Sequence, residues 1–299
     1  MAKATVLVDL FNPGQVFACM GFLEAADLLL GNAVGGFERS NEGRDQFSIE
    51  TDGTGNPIDV VVEFITKGSL QRVVPSNYVS PQPPSSKNKA KNEAHHNAQA
   101  SGKSNNVGEL RSDTFPAKEA DEMTLPLRLE HDKRHISITH WCDGSTRNSF
   151  KLFAGQQRGY VIAGQMLEAI RKLWSEHRYR ILEDPFGPAA PLGGSSFKFD
   201  PRKSWTGIDA GYSPDEQSHD VQASPIVELL AAIGLEHARP DEYELRKVRY
   251  GVWGIRLPPL LARPALSGAS IGVPMRVFRF TLELAGKNKI MTFAEEETL

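Results

Sequence analysis

The stretch TVLVDLFNPGQVFACMGFLEAADLLLG, residues 5–31, decides the fold that we expect. Residues 5–11 are typical of a strand. Asn12 and Pro13 then predict the start of a helix, because Asn suits the N-cap and Pro tolerates the first helical position. The helix predicted over residues 15–30 is apolar around its whole circumference apart from two acidic side chains, so most of its surface must be buried.

Other segments show the hydrophobic periodicity of regular elements. Ser224 and Pro225 predict the start of a second buried helix, which ends at Gly234. The remaining predictions are a hairpin of residues 47–50 and 58–66, a hairpin of residues 125–131 and 135–141, a third strand over 149–153, an amphipathic helix over 159–176, and strands over 246–257 and 275–284. The mixture predicts an α+β fold in which antiparallel sheet packs on a few helices.

The composition changes abruptly between residues 81 and 122, where Pro, Ser, Asn, Lys and Ala replace almost every large apolar residue. Such a segment cannot bury enough surface to offset the entropy lost on ordering. We therefore expect a disordered insertion over 81–122. It divides a single α+β domain into an N-terminal strand-helix-hairpin part, residues 1–80, and the remainder, residues 123–299.

The bulk composition is that of an ordinary globular protein, with 299 residues of which 40% are hydrophobic. The two cysteines lie far apart in apolar surroundings, so we expect free thiols in a reducing compartment. The N-terminus has the pattern of neither a signal peptide nor a transmembrane span, which predicts a cytoplasmic protein. A net charge of −3 gives no global attraction to nucleic acid, so any such contact must be local.

The common signatures of phosphate binding, acyl transfer and zinc hydrolysis are absent from the sequence. The densest potential metal cluster combines His131, Asp132, His135, His140 and Cys142. These residues lack a recognised ligand spacing, so ordinary strand and turn histidines are the favoured interpretation. A metal-dependent nuclease that uses the cluster from His131 to His140 stays open as an alternative. We predict no catalytic residues, no metal and no cofactor.

The first candidate binding patch lies just before the amphipathic helix and contains Lys151, Gln156, Gln157 and Arg158. Backbone amides at a helix N-terminus, two Gln side chains and two cations are groups that can contact a phosphate chain. A merely solvated polar loop explains the same residues equally well, because glycines beside polar groups also make ordinary turns.

The second candidate patch, residues 193–214, is too aromatic for disorder and too rich in Gly and Pro for regular elements, which predicts a packed functional loop. Cations alternate there with rings, a mixture that suits either single-stranded nucleic acid or a subunit interface. Its proposed contacts are Lys198, Arg202, Lys203, Trp205 and Tyr212, with Phe197 and Phe199 between them. A core role for the aromatic residues remains open.

Three long segments together carry a resemblance to a known family. They are VDLFNPGQVFACMGFLEAADLLLG at 8–31, LEDPFGPAAPLGGSSFKFDPRKSWTGIDAGYSP at 182–214, and SPIVELLAAIGLEHARP at 224–240. Together they resemble a protein family associated with type I-G CRISPR loci, formerly called type I-U. The resemblance spans the chain apart from residues 81–122.

The resemblance implies a role in antiviral defence, as a subunit or accessory of the RNA-guided interference complex. It implies contact with CRISPR RNA, target DNA, other effector subunits or the helicase-nuclease, and no established catalytic centre. By analogy with CRISPR backbone subunits, a ferredoxin-like arrangement is one form that the α+β fold could take. Two alternatives stay open: the metal-dependent nuclease, and a protein-protein adaptor for the helicase-nuclease.

Overall fold

A computed structural model describes residues 1–79, 107–115, 120–142, 150–153, 155–192, 196–203, 222–285 and 288–297. These residues form five α-helices and fourteen strands, which confirms the predicted α+β class. The helices are α1 (Pro13–Leu30), α2 (Pro57–Lys67), α3 (Gly159–Glu183), α4 (Pro225–His237) and α5 (Pro259–Leu266).

The strands form several small sheets rather than one continuous sheet. One sheet has the order β1-β3-β2, with β1 (Ala2–Leu7), β2 (Val34–Arg39) and β3 (Asp45–Thr51). The next has the order β5-β4-β6-β7, with β4 (Ser69–Pro75), β5 (Gly108–Ser112), β6 (Leu127–His131) and β7 (Arg134–Ile138). A two-stranded sheet pairs β8 (Ala190–Pro191) with β9 (Gln222–Ala223).

The largest sheet is built from the C-terminal part of the chain and packs against the side of α1. It has the order β10-β11-β12-β13, and β14 pairs with β12. Its strands are β10 (Asp241–Glu244), β11 (Lys247–Trp253), β12 (Met275–Ala285), β13 (Asn288–Met291) and β14 (Glu295–Glu296). The ring of Phe17 on α1 contacts those of Tyr250 and Phe280 in this sheet, at centroid distances of 5.7 and 6.2 Å.

Helix α1 is the centre of the fold, as its apolar circumference predicts. The Asn12 side chain caps it by accepting a hydrogen bond from the Gln15 amide at 3.1 Å. The helix has the length and composition of a membrane span, but most of it is buried among the other elements, as in the core helix of a folded domain. Cys19 on this helix and Cys142 are buried free thiols, and burial raises the pKa of Cys19.

The two predicted buried helices cross each other at glycines. Gly21 of α1 faces the Leu230 carbonyl oxygen so closely that an added Cβ would lie 2.0 Å from it. Gly234 of α4 faces the Phe17 carbonyl in the same way, at 2.2 Å. The Ser224 hydroxyl caps α4 by accepting from the Val227 amide. Only glycine allows the two helix backbones to approach this closely.

We expect Gly21→Ala to lower the free energy of unfolding by about 1–3 kcal/mol, because the added methyl group forces the helices apart. A loss of stability would be informative, because alanine is about 1 kcal/mol more favourable than glycine in the interior of a free helix and would otherwise stabilise the protein. Denaturant unfolding measures the change. Gly254→Ala is the matched control, because a Cβ at Gly254 would meet no atom within 4 Å. Equal or greater stability for Gly21→Ala would show that the helices do not touch at this point.

The hairpin predicted over 125–141 is confirmed as β6 and β7. Asp132 and Lys133 at its tip have φ values of 48° and 65°. Two successive residues with positive φ make the primed turn that matches the twist of a two-residue hairpin. The predicted C-terminal strands are likewise confirmed as β11 and β12.

The prediction of a hairpin between 47–50 and 58–66 is wrong for its second half, because residues 58–66 belong to helix α2. The Asn56 side chain caps this helix by accepting from the Ile58 amide at 2.9 Å, and Pro57 opens it, as Asn12 and Pro13 do for α1. The β-branched residues of IDVVVEFIT favour a strand. The segment forms a helix nevertheless, because its apolar residues recur at helical spacing and bury one face, which contains Ile58, Val61, Val62 and Ile65.

Other predicted elements and boundaries also require correction. The first strand ends at Leu7 rather than at residue 11, and the second buried helix continues past Gly234 to His237. Residues 150–153 form no strand, and residue 149 lies outside the described residues. The amphipathic helix continues past residue 176 to Glu183, with a kink at His177, where φ is −138°. The insertion predicted over 81–122 extends too far, because strand β5 lies within it and pairs in parallel with β4. The polar sequence GELRS can form this strand because the pairing is made by backbone hydrogen bonds and needs little apolar burial. Residues 81–106 and 116–119 lie outside the described part.

Candidate nucleic-acid interface

A cluster of aromatic rings joins the two candidate patches, which are distant in sequence. Trp141 stacks on Phe197 with their ring centroids 5.1 Å apart. Phe153 from the first patch meets both rings edge-on, at 5.7 Å from Trp141 and 6.0 Å from Phe197. The Trp141 indole donates a hydrogen bond to the Leu125 carbonyl at 3.2 Å, so its polar edge is satisfied. The cluster therefore holds Phe153 and the segment around Phe197 side by side.

The first patch presents its polar residues at the start of α3. Arg158 is the N-cap residue of α3 and is exposed, as is Gln156, while Gln157 is half-buried. Lys151 lies with its Nζ 4.4 Å from the centre of the Phe153 ring. Burial lowers the pKa of Lys151, and the charge of Asp121 opposes that shift. A phosphate beside Lys151 would act in the same direction as Asp121 and favour the charged amine.

Glu122 holds this patch to the neighbouring sheet, and the sequence gives no sign of it, because it falls within the predicted insertion. Its carboxylate accepts hydrogen bonds from Arg72 at 3.1 Å and from the Tyr160 hydroxyl at 2.8 Å. The Tyr78 hydroxyl also donates to it. Burial and the carboxylate together raise the pKa of Tyr78 to about 12. Arg158 lies farther away, with its Nε 3.8 Å from Glu122, so its guanidinium is the least tightly held of the group.

The second patch is divided between core and surface. Phe197 and Phe199 are buried, so their rings belong to the core and are not available to stack on bases. Lys198 between them is half-buried and has a φ of 64°, an uncommon conformation for a residue other than glycine. Lys203 lies in a short 3-10 turn, Pro201–Lys203. Trp205 and Tyr212 lie outside the described residues.

Arg202 is engaged with Asp200 rather than directed to solvent. Its Nε lies 2.9 Å from each Asp200 oxygen, and one terminal nitrogen donates to Asp200 at 2.6 Å and to the Phe186 carbonyl at 3.0 Å. A buried carboxylate held by a fork of this kind is a strong, oriented ion pair. Arg202 therefore anchors the second patch through Asp200, and its contact with nucleic acid stays a prediction.

Asp200 connects this segment to the N-termini of both central helices. The side chain has no exposed surface. It accepts from the Asn12 side chain at 3.2 Å and from the Ser224 amide at 3.1 Å, and those two residues cap α1 and α4. The Asp200 amide itself donates to the buried Glu228 at 3.0 Å. No local pattern in the sequence indicates this site, because its partners come from three separate segments.

The histidine cluster does not converge. His131 lies beside Asp132, with its Nε2 3.3 Å from the carboxylate, whereas the His135 ring contacts Arg128 on the neighbouring strand. His140 is buried against Trp141 and Phe199. Within the described ranges, no group of three or more His, Cys, Asp and Glu side chains is placed to hold a metal ion.

The arrangement can bind but offers no assembled reaction centre among the described residues. Exposed Arg158 and Gln156 and half-buried Lys151 and Lys198 belong to the two segments that the aromatic cluster holds together. Polar groups on segments held in this way suit a phosphate backbone or the polar rim of a protein interface. In the comparisons with known proteins, no family model, no curated protein and no solved structure matches the chain.

Proposed function

We propose that this chain is a non-catalytic subunit or accessory of a type I-G CRISPR antiviral effector, acting in the cytoplasm. It contacts CRISPR RNA, target DNA or a neighbouring subunit through residues 151–158 and 196–203. The resemblance of the three long strings supports the family. The described parts of the three strings also contact one another, because α1 crosses α4 and Asp200 joins the N-termini of both helices to residues 196–203.

The observation that carries the binding role is the convergence of the two cation-bearing patches on one aromatic cluster. Phe153 and Phe197 bring together segments that composition alone marks as candidates. A solvated loop needs no such support, because its backbone is satisfied by water. Rigid placement of cations lowers the entropy lost when they bind a partner. The surface therefore has the properties of an interface.

The test uses the tagged full-length chain expressed with the proteins and CRISPR RNA of its locus. Lys151, Arg158 and Lys198 are replaced together by alanine. We expect weaker nucleic-acid retention and a flatter salt dependence, with a log-log slope smaller by about 0.7 for each single-strand phosphate that is no longer neutralised. Lys172→Ala with Arg180→Ala, at exposed positions on α3, is the control and should leave the slope unchanged.

Each other outcome points to a named alternative. If the triple variant keeps its nucleic-acid affinity and salt slope but leaves the complex, the surface is a protein interface and the adaptor for the helicase-nuclease is favoured. If it is normal in both measurements, the proposed interface is wrong. A stoichiometric transition metal in the purified chain would favour the nuclease that uses His131, Asp132, His135 and His140.

A further inference from the structure

A cleft of about 460 Å³ opens where segments that are distant in sequence meet. Its walls come from residues within 7–15 at the junction of β1 and α1, residues 43–45 at the start of β3, and residues 184–187 after α3, with Arg202 beside them. The volume is in the range of ligand-binding clefts in proteins. The polar side chains of its lining are three aspartates, one glutamine and two arginines: Asp9, Gln15, Arg44, Asp45, Asp184 and Arg202.

Two of these aspartates carry charges that no cation in the described part of the chain neutralises. Neither Asp9 nor Asp184 forms an ion pair with a described residue, and Asp45 has only a distant one, 3.8 Å from Arg276. Arg276 is held more closely by Glu296, at 2.7 Å. The negative charge of the cleft is therefore available to a ligand.

The two arginines of the lining are each engaged by a carboxylate that lies outside the lining. Arg44 pairs with Glu42, and Arg202 pairs with Asp200 at 2.6 Å. These two carboxylates balance the two guanidinium groups, so the three aspartates of the cleft remain in excess. A cationic ligand is attracted to such a surface, whereas a phosphate is repelled.

Two of the carboxylates are held in place, and one of them lies next to an exposed ring. One oxygen of Asp9 accepts a hydrogen bond from the Phe11 amide at 3.0 Å, and one oxygen of Asp184 accepts from the Gly187 amide at 3.0 Å. The Phe11 side chain lines the cleft and is 42% exposed. Carboxylates and an aromatic face are the groups with which proteins hold a guanidinium, through forked hydrogen bonds and stacking.

Gln15 adds a hydrogen-bond donor to the same cleft. Its side chain is only 8% exposed, and its Oε1 accepts from the Asp9 amide at 2.8 Å. Its amide nitrogen has no hydrogen-bond partner in the part of the chain that the structure describes. A side chain buried to this extent needs an acceptor from outside the chain for that donor. The aspartates require a cation and Gln15 requires an oxygen such as a carbonyl, and an arginine residue within a polypeptide offers both.

We propose that this cleft binds an arginine side chain of a partner protein. The guanidinium pairs with Asp9 and Asp184 beside the ring of Phe11. The backbone carbonyl of the same arginine accepts a hydrogen bond from Gln15. The excess of carboxylates favours a protein partner over nucleic acid, because phosphates would be repelled. The inference goes beyond the proposed contact with nucleic acid and does not depend on it.

The test titrates the purified chain with N-acetyl-arginine methylamide and with its uncharged counterpart, N-acetyl-citrulline methylamide, and measures binding by protein NMR. We expect the arginine compound to bind about tenfold more tightly. The variant Asp9→Asn plus Asp184→Asn should lose this preference. Asparagine keeps the side-chain oxygen that accepts from the Phe11 and Gly187 amides, so the substitution removes the charges and preserves both turns.

The matched control is Asp113→Asn plus Asp241→Asn, which changes the net charge equally at exposed positions outside the cleft and should keep the preference. Equal binding of the two compounds, a preference that survives in the cleft variant, or its loss in the control would overturn the proposal.

Free L-arginine separates a small molecule from a protein partner as the source of the guanidinium. We expect it to bind more weakly than the blocked compound, because the aspartates repel its carboxylate. Binding of free arginine as tight as that of the blocked compound would overturn the assignment to a protein partner. Nucleic-acid retention by the Lys151, Arg158 and Lys198 variant tests the proposed function separately, so either proposal can fail while the other stands.

Discussion

Replacement of Asp200 by alanine is expected to lower the free energy of unfolding by about 3–5 kcal/mol, the range for removing one partner of a buried ion pair. The carboxylate is fully buried and holds Arg202, the Asn12 side chain and the Ser224 amide. The alanine variant leaves the buried Asn12 side chain and Ser224 amide, and the partly exposed Arg202, without this acceptor. Both central helices are deprived of a restraint at their N-termini in the same step.

Denaturant unfolding measures this change, and Asp59→Ala is the control. Asp59 also pairs with an arginine, Arg178, at 2.7 Å, but both side chains are partly exposed. A partly exposed pair contributes about 1 kcal/mol or less. A double-mutant cycle with Arg202→Ala separates the ion pair from the two cap contacts. If Asp200→Ala costs no more than Asp59→Ala, the caps and the ion pair at Asp200 do not stabilise the fold.

The elements predicted correctly are those whose signals are local. Asn12 with Pro13 and Ser224 with Pro225 mark the starts of α1 and α4, and unbroken apolar sequence marks both helices as buried. Helix α2 carries the same cap signal at Asn56 and Pro57. Its β-branched composition favours a strand and hides that signal, although the spacing of its apolar residues is helical.

The sequence predicts which segments contribute to the candidate site, but it does not predict how those segments are arranged in space. Composition marks residues 151–158 and 193–214, yet nothing in either segment shows that Phe153 meets Phe197. The hydrogen bond between Asn12 and Asp200 joins residues 188 positions apart, and Glu122 lies in a stretch whose composition indicates disorder. Sequence periodicity describes how a segment faces the core, and it contains no information on which distant segment supplies the partner for a buried charge.

Lowering the pH from 6 to 4 is expected to destabilise the protein through His140. This imidazole is fully buried against Trp141 and Phe199. Burial, with the nearby charge of Arg239, lowers the pKa of His140 to about 3, and a hydrogen bond with the Ala232 backbone opposes that shift. The unfolded chain takes up a proton near a pH of about 6.5 and the folded chain does not. Stability from this group is therefore complete above a pH of about 6.5 and is lost as the pH falls towards about 3.

Between a pH of about 6.5 and a pH of about 3, the free energy of unfolding should fall by about 1.4 kcal/mol for each pH unit, because only the unfolded chain binds the proton. Urea unfolding at several pH values from 4 to 7 measures the free energy of unfolding of the unmodified chain and of His140→Leu. The dependence of this free energy on pH should be shallower in His140→Leu by about 1.4 kcal/mol for each pH unit. His177→Leu, at an exposed position on α3, is the control for replacing a histidine by leucine. Since Trp141 and Phe199 also support the candidate interface, nucleic-acid retention should fall together with stability as the pH decreases. An identical slope for His140→Leu and the unmodified chain would show that His140 is protonated in the folded state and that the aromatic cluster admits water.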